Sequence, residues 1–173
     1  MFITNKTLEE LIMMNINELL QKGIKQVKLA GIEPGNINPE VIVNTRAKNR
    51  AGLCRKTPGE YDYQIEINSQ LLQTQESKIM NTLIHEILHS AKGCMNHGST
   101  WKSYATIMNV IFGYDISRTS SYEKLGIEAP EAKFIVKCKC CGAEIRRQRK
   151  SKLTTHPSHY HCGACGGELM LMK

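Results

Sequence analysis

Residues 83–93 read Leu-Ile-His-Glu-Ile-Leu-His-Ser-Ala-Lys-Gly and contain the pattern that decides the fold. The apolar positions around them recur at helical spacing, and they are Ile79, Met80, Leu83, Ile84, Ile87, Leu88 and Ala91. Positions four apart on a helix share a face, so the imidazoles of His85 and His89 can reach one ion. Glu86 lies beside them, close enough to accept a proton from an attacking water without binding the metal itself. The pattern therefore predicts an amphipathic helix with a zinc site and a general base.

A catalytic zinc usually has three protein ligands and one water, so a third side chain is required. The nearest candidate is His97, eight residues after His89 and therefore about 12 Å further along the axis if the helix continued. His97 can reach the metal only if the chain turns back, and Gly93 is where the helix can end and turn. The alternative is that His97 is an ordinary loop histidine. At the N-terminal end of the helix that carries His85 and His89, the predicted N-cap is Thr74 or Ser77.

The C-terminal segment contains two cysteine pairs, Cys138-x-x-Cys141-Gly142 and Cys162-x-x-Cys165-Gly166, about twenty residues apart. This spacing is typical of a four-cysteine zinc ribbon, and the glycines permit the tight turns that such pairs need. Cys140 leaves the choice of ligands open, since it could replace Cys138 or Cys141, but only by giving up the two-residue spacing. The alternative histidine ligands are His156, His159 and His161. Some forty residues cannot bury enough apolar surface unaided, so a metal would also serve to fold this segment.

Charge is distributed unevenly along the chain, which has 23 basic and 16 acidic residues and a formal net charge of +7. Residues 1–132 hold 14 of each sign, so the whole surplus belongs to residues 133–173. A basic cluster between the two cysteine pairs, where a ribbon presents an exposed hairpin, comprises Arg146, Arg147, Arg149, Lys150 and Lys152. Such a cluster is a candidate contact for DNA phosphates. The alternative is a solvated loop that keeps the protein in solution.

Composition limits the compartment and the class of protein. Seven cysteines, four of them in metal-binding spacing, indicate a reducing environment rather than a disulfide framework. No signal peptide or apolar run long enough to cross a membrane is evident, so we expect a cytoplasmic protein, associated with the nucleoid if it binds DNA. The sequence makes no prediction about oligomeric state.

The remaining chain predicts an α+β fold. A first amphipathic helix should end at Gly23, and a second helix after the motif should be capped by Ser99 or Thr100. The predicted strands span residues 41–46, 53–56 and 61–67, of which the last alternates with period two and should be half-buried. We expect a domain over residues 1–132, with residues 113–132 as a connector packed on it, and a zinc ribbon over residues 133–173.

The order of these motifs resembles the SprT-like zinc metallopeptidases, which include the Spartan proteases that degrade proteins crosslinked to DNA. The histidine motif is followed by a short turn and then by His97-Gly98-x-x-Trp101, as in that family. Residues 44–46 and 50–54 resemble the family's β-hairpin, and residues 65–68 resemble its strand before the active helix. The match covers residues 1–112 and extends to the C-terminal zinc module. It implies a zincin-like domain with a small mixed sheet, followed by the four-cysteine ribbon.

The resemblance and the motifs together predict a zinc-dependent endopeptidase that cleaves proteins bound or crosslinked to DNA, a role in DNA–protein crosslink repair. It would hold two zinc ions, with Glu86 as general base and DNA and protein substrates as partners. An extended substrate could pair with residues 61–67 if that strand is an edge, and Tyr104 or Tyr122 could assist the oxyanion. The alternative is a non-catalytic DNA-binding zinc protein or regulator. Glu86 favours the enzyme, because a structural zinc site needs no general base.

Overall fold

The computed structural model describes residues 8–47, 50–119 and 121–173, with the side chains of the first helix described from Asn15 onward. Its elements are α1 (Leu8–Leu29), β1 (Ile42–Asn44), β2 (Gly52–Lys56), β3 (Tyr63–Asn68), α2 (Glu76–Ser90), α3 (Ser99–Phe112), α4 (Tyr122–Leu125), β4 (Phe134–Cys138), β5 (Glu144–Arg147), α5 (Lys152–Thr155) and β6 (Leu169–Leu171). The chain separates into two compact units, Met1–Ala129 and Pro130–Lys173. Within the described residues each unit contains one three-stranded sheet, which confirms the predicted α+β class.

The first helix is longer than the sequence predicted, because Gly23 does not end it. α1 continues to Leu29, and Gly31, with φ of +74°, turns the chain after it. A Cβ atom at Gly23 would lie only 2.8 Å from Cδ1 of Ile87 and 3.1 Å from Cδ1 of Ile84. The glycine therefore marks a close approach of α1 to α2, the helix that carries the histidine motif.

The sheet of the first unit has the strand order β1-β3-β2. β1 pairs with β3 in parallel and β2 pairs with β3 in antiparallel orientation. The predicted hairpin between residues 44–46 and 50–54 is wrong, since β3 lies between those two segments. The hairpin is formed by β2 and β3 instead. β3 is therefore the central strand, so the condition for substrate pairing with residues 61–67, that they form an edge, is not met.

The two faces of β3 differ in chemistry but are both buried. Ile65 and Ile67 point into the core and are fully enclosed. Gln64, Glu66 and Asn68 alternate with them on the other face, yet each is less than a tenth exposed. Gln64 donates to the carbonyl oxygen of Glu40 at 2.6 Å, and Asn68 donates to the carbonyl oxygen of Ala47 at 2.8 Å. The polar face is thus satisfied by neighbouring loops rather than by solvent, which is why the strand is more buried than its alternation predicts.

The motif helix α2 is the centre of the first unit. The N-cap is Gln75, without a side-chain capping bond, so neither Thr74 nor Ser77 has the predicted role. The helix ends at Ser90, and Gly93 follows in the turn with φ of +79°. α3 begins at Ser99 with Gly98 as its N-cap residue, so the expected caps Ser99 and Thr100 already lie inside the helix. α2 and α3 are therefore joined by a tight turn, which is the arrangement that His97 needs in order to reach the first two histidines.

Residues after α3 return to the core of the first unit. Ile116, Leu125 and Ile127 belong to the same buried cluster as α2 and the apolar face of β3. Asn109 of α3 pairs with Ile116 through two hydrogen bonds, which fixes the start of this segment. The segment therefore packs against α2 and is not a free linker.

Within the described part of the chain, none of the helices has both the length and the apolar character needed to cross a membrane.

The second unit is a small sheet with the order β5-β4-β6, all antiparallel. Its buried hydrophobic cluster consists of Val136, Cys138, Cys162 and Leu169. The first cysteine pair forms the turn between β4 and β5. The basic cluster was predicted on an exposed hairpin, and Arg146 and Arg147 do lie on β5 of the β4–β5 hairpin. Arg149, Lys150 and Lys152 lie outside it, in the following loop and at the start of α5. All five residues of the cluster are exposed.

Candidate metal centres and nucleic-acid interface

Three imidazoles converge at the end of α2. The Nε2 atom of His89 lies 3.3 Å from Nε2 of His85 and 3.2 Å from Nε2 of His97. The third separation, between His97 and His85, is 3.0 Å. The turn between α2 and α3 brings His97 back onto the helix face that the first two histidines share. The structure thus places together the three residues predicted as ligands of the first metal.

These distances fit a tetrahedral ion. Zinc–nitrogen bonds of about 2.0–2.1 Å would separate the nitrogens by roughly 3.3–3.4 Å. Burial, followed by the neighbouring imidazoles, lowers the pKa of His85 to about 3. Burial also lowers the pKa of His89 and of His97. The three rings are therefore neutral near pH 7, which is the form that binds a metal.

Backbone carbonyls orient two of the rings. Nδ1 of His89 lies 2.6 Å from the carbonyl oxygen of Cys94, and the Nδ1–H donates to that oxygen. His85 donates a hydrogen bond to the backbone of Ser117, in the segment after α3. A donor at one ring nitrogen leaves the other nitrogen as a lone pair, so these contacts select the tautomer that suits metal binding. Both partners come from turns that follow α2 in the sequence.

Trp101 packs against the whole histidine cluster. Its ring centroid lies 4.7 Å from that of His85, 5.5 Å from His89 and 4.5 Å from His97. The side chain is only 1% exposed. Among the described residues, its Nε1 is the one buried side-chain nitrogen or oxygen without a hydrogen-bond partner. The indole therefore holds the three rings in place by contact rather than by hydrogen bonding.

Glu86 follows His85 on α2, and its carboxylate lies against β2. It is 7% exposed, and burial raises its pKa to about 8. The backbone N–H of Cys54 donates to the carboxylate, and the charge of Arg50 acts with it to oppose that rise in pKa. A Cβ atom at Gly52 would lie 2.7 Å from Oε1 of Glu86, so the glycine leaves room for the carboxylate. The predicted base thus lies beside the metal-binding cluster in a close-fitting, poorly hydrated position.

A cavity of about 250 Å³ opens next to His85 and Glu86. Its walls come from the start of β2, from α2 and from the segment after α3, and they include Arg50, Arg118 and Tyr122. Tyr122, one of the two tyrosines considered for the oxyanion, lines this cavity. The other, Tyr104, lies on α3 among residues packed against the core and is not part of the cavity wall.

Sequence reasoning missed several residues of this site. Arg50 and Gly52 enter the sequence analysis as part of a hairpin, and Arg50 is also an alternative contact for DNA, but neither has a predicted role at this site. Arg118 stands alone in a segment with no periodicity, so no pattern distinguishes it. The contributions of Cys54 and Cys94 come from their backbones, which sequence patterns do not reveal.

The four predicted cysteines of the second unit also converge. The Sγ atoms of Cys138 and Cys165 are 3.5 Å apart, and those of Cys141 and Cys162 are 3.6 Å apart. All four Sγ atoms lie within 4.8 Å of one another, close to the roughly 3.8 Å expected around a tetrahedral zinc. The backbone N–H of Cys141 approaches Sγ of Cys138 at 3.5 Å and is the largest of the contacts that lower its pKa. Such donors favour thiolates, the form that binds zinc.

The alternative ligands lie outside this cluster. Cys140 is exposed and does not belong to the group of four converging sulfurs. None of the nearby histidines joins it either among the described residues, and these are His156, His159 and His161. Gly142 and Gly166 both have φ near +74°, which gives each pair its turn.

The predicted nucleic-acid residues form one exposed stretch of the second unit. Arg146 and Arg147 lie on β5, Arg149 and Lys150 in the loop after it, and Lys152 begins α5. Arg146 pairs with Glu144 at 3.2 Å, an exposed contact that leaves most of the guanidinium accessible. The stretch is therefore available to an anionic partner.

Comparison with known proteins agrees with this geometry. No solved structure matches the chain. The germ cell nuclear acidic-1 protein of Caenorhabditis elegans is 32% identical over 144 residues, which cover 78% of this chain and 25% of that protein. The chain thus corresponds to about a quarter of the length of this relative. The model of the SprT-like family matches residues 13–120, a range that contains all three converging histidines, Glu86 and the cavity residues Arg50 and Arg118. The chain belongs to the SprT-like family.

Proposed function

We propose that this protein is a DNA-associated zinc endopeptidase that cleaves proteins bound or crosslinked to DNA. The observation that carries the proposal is Glu86, a buried carboxylate beside three neutral imidazoles whose Nε2 atoms converge. A site that only stabilised the fold would need the ligands but not an adjacent base. Membership of the SprT-like family supports the same reading.

The residues assigned to the metals are those that converge. His85, His89 and His97 would hold a catalytic zinc. A structural zinc would be held by the four cysteines Cys138, Cys141, Cys162 and Cys165. When bound, the catalytic ion supplies Lewis acidity, which polarises the substrate carbonyl and makes water acidic near neutral pH.

Glu86 then performs the proton transfers. It accepts a proton from the attacking water and returns it to the leaving amine. The N–H of Cys54 holds the carboxylate in orientation during both steps, while the poorly hydrated position keeps its proton affinity near the working pH. Tyr122 lines the same cavity, whereas Tyr104 does not, and Tyr122 is therefore the tyrosine we assign to stabilising the oxyanion.

The edge of β2 is the place for an extended substrate. The backbone N–H of Asn68 donates to the carbonyl oxygen of Ala51 at 2.7 Å, so these two opposed residues form a hydrogen-bonded pair of the ladder. By alternation, the backbone groups of Gly52 and Cys54 point away from β3. The N–H of Cys54 is used by Glu86, so the N–H and carbonyl of Gly52 and the carbonyl of Cys54 are the groups left for a substrate. A substrate strand added there would lie beside Glu86 and would be selected by its backbone more than by its sequence. Low sequence specificity suits a peptidase whose targets are defined by being on DNA.

DNA binding is assigned to the second unit, where the positive surplus lies. The Caenorhabditis elegans relative is called nuclear in its name, and the positive surplus of this chain lies in residues 133–173. We infer that the stretch from Arg146 to Lys152 contacts phosphates without reading sequence. The protein would then be located where DNA is, at the nucleoid if the host is a bacterium.

The enzyme proposal is tested by substituting Glu86 with Gln. The amide keeps nearly the shape of the carboxylate but cannot act as a base, so cleavage of an unstructured protein such as casein should be lost. Elemental analysis should still find two zinc ions per chain, and His89→Ala should reduce this to one. Cleavage that persists in the Glu86→Gln protein would refute the assignment. A non-catalytic DNA-binding protein is indicated instead if the parent with two zinc ions cleaves nothing, with or without DNA.

The DNA proposal is tested by replacing Arg146, Arg147, Arg149 and Lys150 together with Ala. Affinity should fall about equally for unrelated sequences, and the slope of log K against log salt should become shallower by up to about 3–4 on duplex DNA. Cleavage of casein without DNA should change little. Unchanged DNA binding would move the interface to the first unit, where the candidates are Arg46, Lys48, Arg50, Arg55 and Lys56, of which Lys48 lies outside the described residues.

A further inference from the structure

The wall of the cavity beside Glu86 carries charges of both signs. Two arginines line it, Arg50 and Arg118, together with the acidic residues Glu86 and Asp115. Glu86 interacts with the charge of Arg50. Asp115 is already paired with Nζ of Lys124 at 2.6 Å. Its charge is therefore largely balanced from outside the cavity, and it does not neutralise the arginines.

The two arginines differ in their partners. The guanidinium of Arg50 lies 3.2 Å from Oε2 of Glu66, the buried carboxylate on the polar face of β3. Among residues 8–47, 50–119 and 121–173, no acidic group pairs with Arg118. Its charge is close enough to the metal-binding cluster to lower the pKa of His97. Arg118 is therefore an exposed, uncompensated cation at the wall of the cavity that adjoins the reaction site.

The size and lining of the cavity suit one amino acid side chain. Its volume of about 250 Å³ is below the range of about 300–1,000 Å³ typical of sites for drug-sized ligands. Ala51, Ile116 and Leu125 contribute apolar wall beside the arginines. This combination accommodates a short aliphatic stem that ends in a planar anion, because a guanidinium binds a carboxylate through two parallel hydrogen bonds.

We propose that this cavity receives an acidic side chain of the substrate, an Asp or Glu next to the bond that is cleaved, and that Arg118 binds its carboxylate. The inference rests on the proposed peptidase function and adds a side-chain preference to it. Arg50, held by Glu66, forms the second positive wall. A phosphate of DNA fits this cavity less well. Its charge belongs to a phosphodiester in the middle of a bulky backbone, whereas a substrate carboxylate stands at the end of a narrow aliphatic side chain.

The test measures binding in the Glu86→Gln background, so that no peptide is cleaved during the experiment. Two labelled peptides of alanine and serine are compared by fluorescence anisotropy with the zinc-loaded protein, one with a single central Glu and the other with Gln. We expect the Glu peptide to bind about fivefold more tightly, the size of a partly exposed charge-assisted contact. Adding Arg118→Glu should abolish or reverse the preference, and Arg118→Lys should keep part of it.

Arg55 provides the matched control. It pairs with the other oxygen of Glu66 at 3.2 Å and is as exposed as Arg50, but it does not line the cavity. Arg55→Gln should therefore leave the Glu preference unchanged, whereas Arg50→Gln should reduce it. Equal binding of the two peptides, or a preference that Arg118→Glu does not alter, overturns the inference.

The two proposals fail in different ways. If the Glu preference depends on Arg118 but the Glu86 parent cleaves neither peptide nor casein, the cavity is supported as a binding site and the peptidase function is not. If the parent cleaves casein but the Glu and Gln peptides bind alike, the peptidase function stands and the acidic pocket is excluded. A DNA oligonucleotide that competes with the Glu peptide more strongly than free glutamate-containing peptide does would assign Arg118 to phosphate binding and overturn the inference.

Discussion

Replacing Gly52 with Ala should greatly reduce the proposed peptidase activity while leaving the fold nearly intact. The added Cβ atom would lie 2.7 Å from Oε1 of Glu86, 2.8 Å from its Cγ and 3.0 Å from its Cδ. Ordinary van der Waals contact begins near 3.4 Å, so the carboxylate must move by about 0.7 Å. Glu86 has little space for this, because it is 7% exposed and accepts a hydrogen bond from Cys54.

Two magnitudes separate activity from stability in this variant. A misplacement of about 1 Å in a catalytic group costs up to about 100-fold in rate, so we expect kcat/KM for casein to fall roughly 10- to 100-fold. Overpacking costs about 1–3 kcal/mol of unfolding free energy, and the loss of glycine freedom in the unfolded chain returns about 0.4–1 kcal/mol. The melting temperature should therefore fall by only several degrees.

The measurements are casein kinetics, zinc content and thermal unfolding on the same preparations. Gly163→Ala is the matched control, because a Cβ atom at that glycine would meet nothing within 4 Å. The control should retain parental activity and zinc content. If Gly52→Ala also kept activity within twofold of the parent, the close contact between β2 and Glu86 would not govern catalysis, and the reasoning would be refuted.

Three further predictions concern packing and protonation. Trp101→Phe should cost little zinc affinity and little unfolding free energy, because the indole N–H has no partner among the described residues. Trp101→Ala should cost about 3–5 kcal/mol of unfolding free energy. Equal losses of unfolding free energy for the two variants in chemical denaturation would contradict this. Gly23→Ala should destabilise by about 1–2 kcal/mol although alanine favours helices, since the new methyl meets Ile87 at 2.8 Å; a gain in melting temperature would show that α1 and α2 can move apart. In the chelator-treated protein, the pKa of Glu86 is raised from 4.5 to about 8, so the stability that its protonation provides is complete below pH 4.5 and lost as pH rises to 8. The pKa of His85 is lowered from 6.5 to about 3, so its contribution is complete above pH 6.5 and lost toward pH 3. Denaturation curves should therefore show stability falling between about pH 6.5 and 8, and the same curves for Glu86→Gln should be flatter there.

The sequence predicts the metal site better than the sheet that supports it. The spacing of His85 and His89 requires only a helix, and Gly93 with His97 requires only a turn, so local geometry is sufficient. The pairing of β1 with β3 is different, because a three-residue strand carries no signal of its partner or direction. Alternation in residues 61–67 indicated a strand, but it could not show that Glu66 and its polar neighbours would be covered.

The contacts that shape the cavity are long-range and lie largely beyond sequence patterns. Gly23 predicts a helix end because glycine commonly has that role, whereas in the structure it allows α1 to lie close to Ile87. Arg118 reaches the site only because the chain after α3 folds back over α2. Backbone donors and acceptors such as the N–H of Cys54 are present in every residue, so only the fold determines which of them acts.

The core of the second unit depends on its cysteines. Two of its four buried hydrophobic-cluster residues, Cys138 and Cys162, are also members of the converging cysteine group. Oxidation of those thiols would remove both the ligands for the structural metal and part of the buried core. β5, which carries Arg146 and Arg147, would then lose the sheet that supports it. The histidine site has no sulfur among its three converging groups and would survive the same treatment. If the basic stretch binds DNA and the histidine site is a peptidase, as proposed, oxidation would therefore release the protein from DNA while its reaction site stayed assembled.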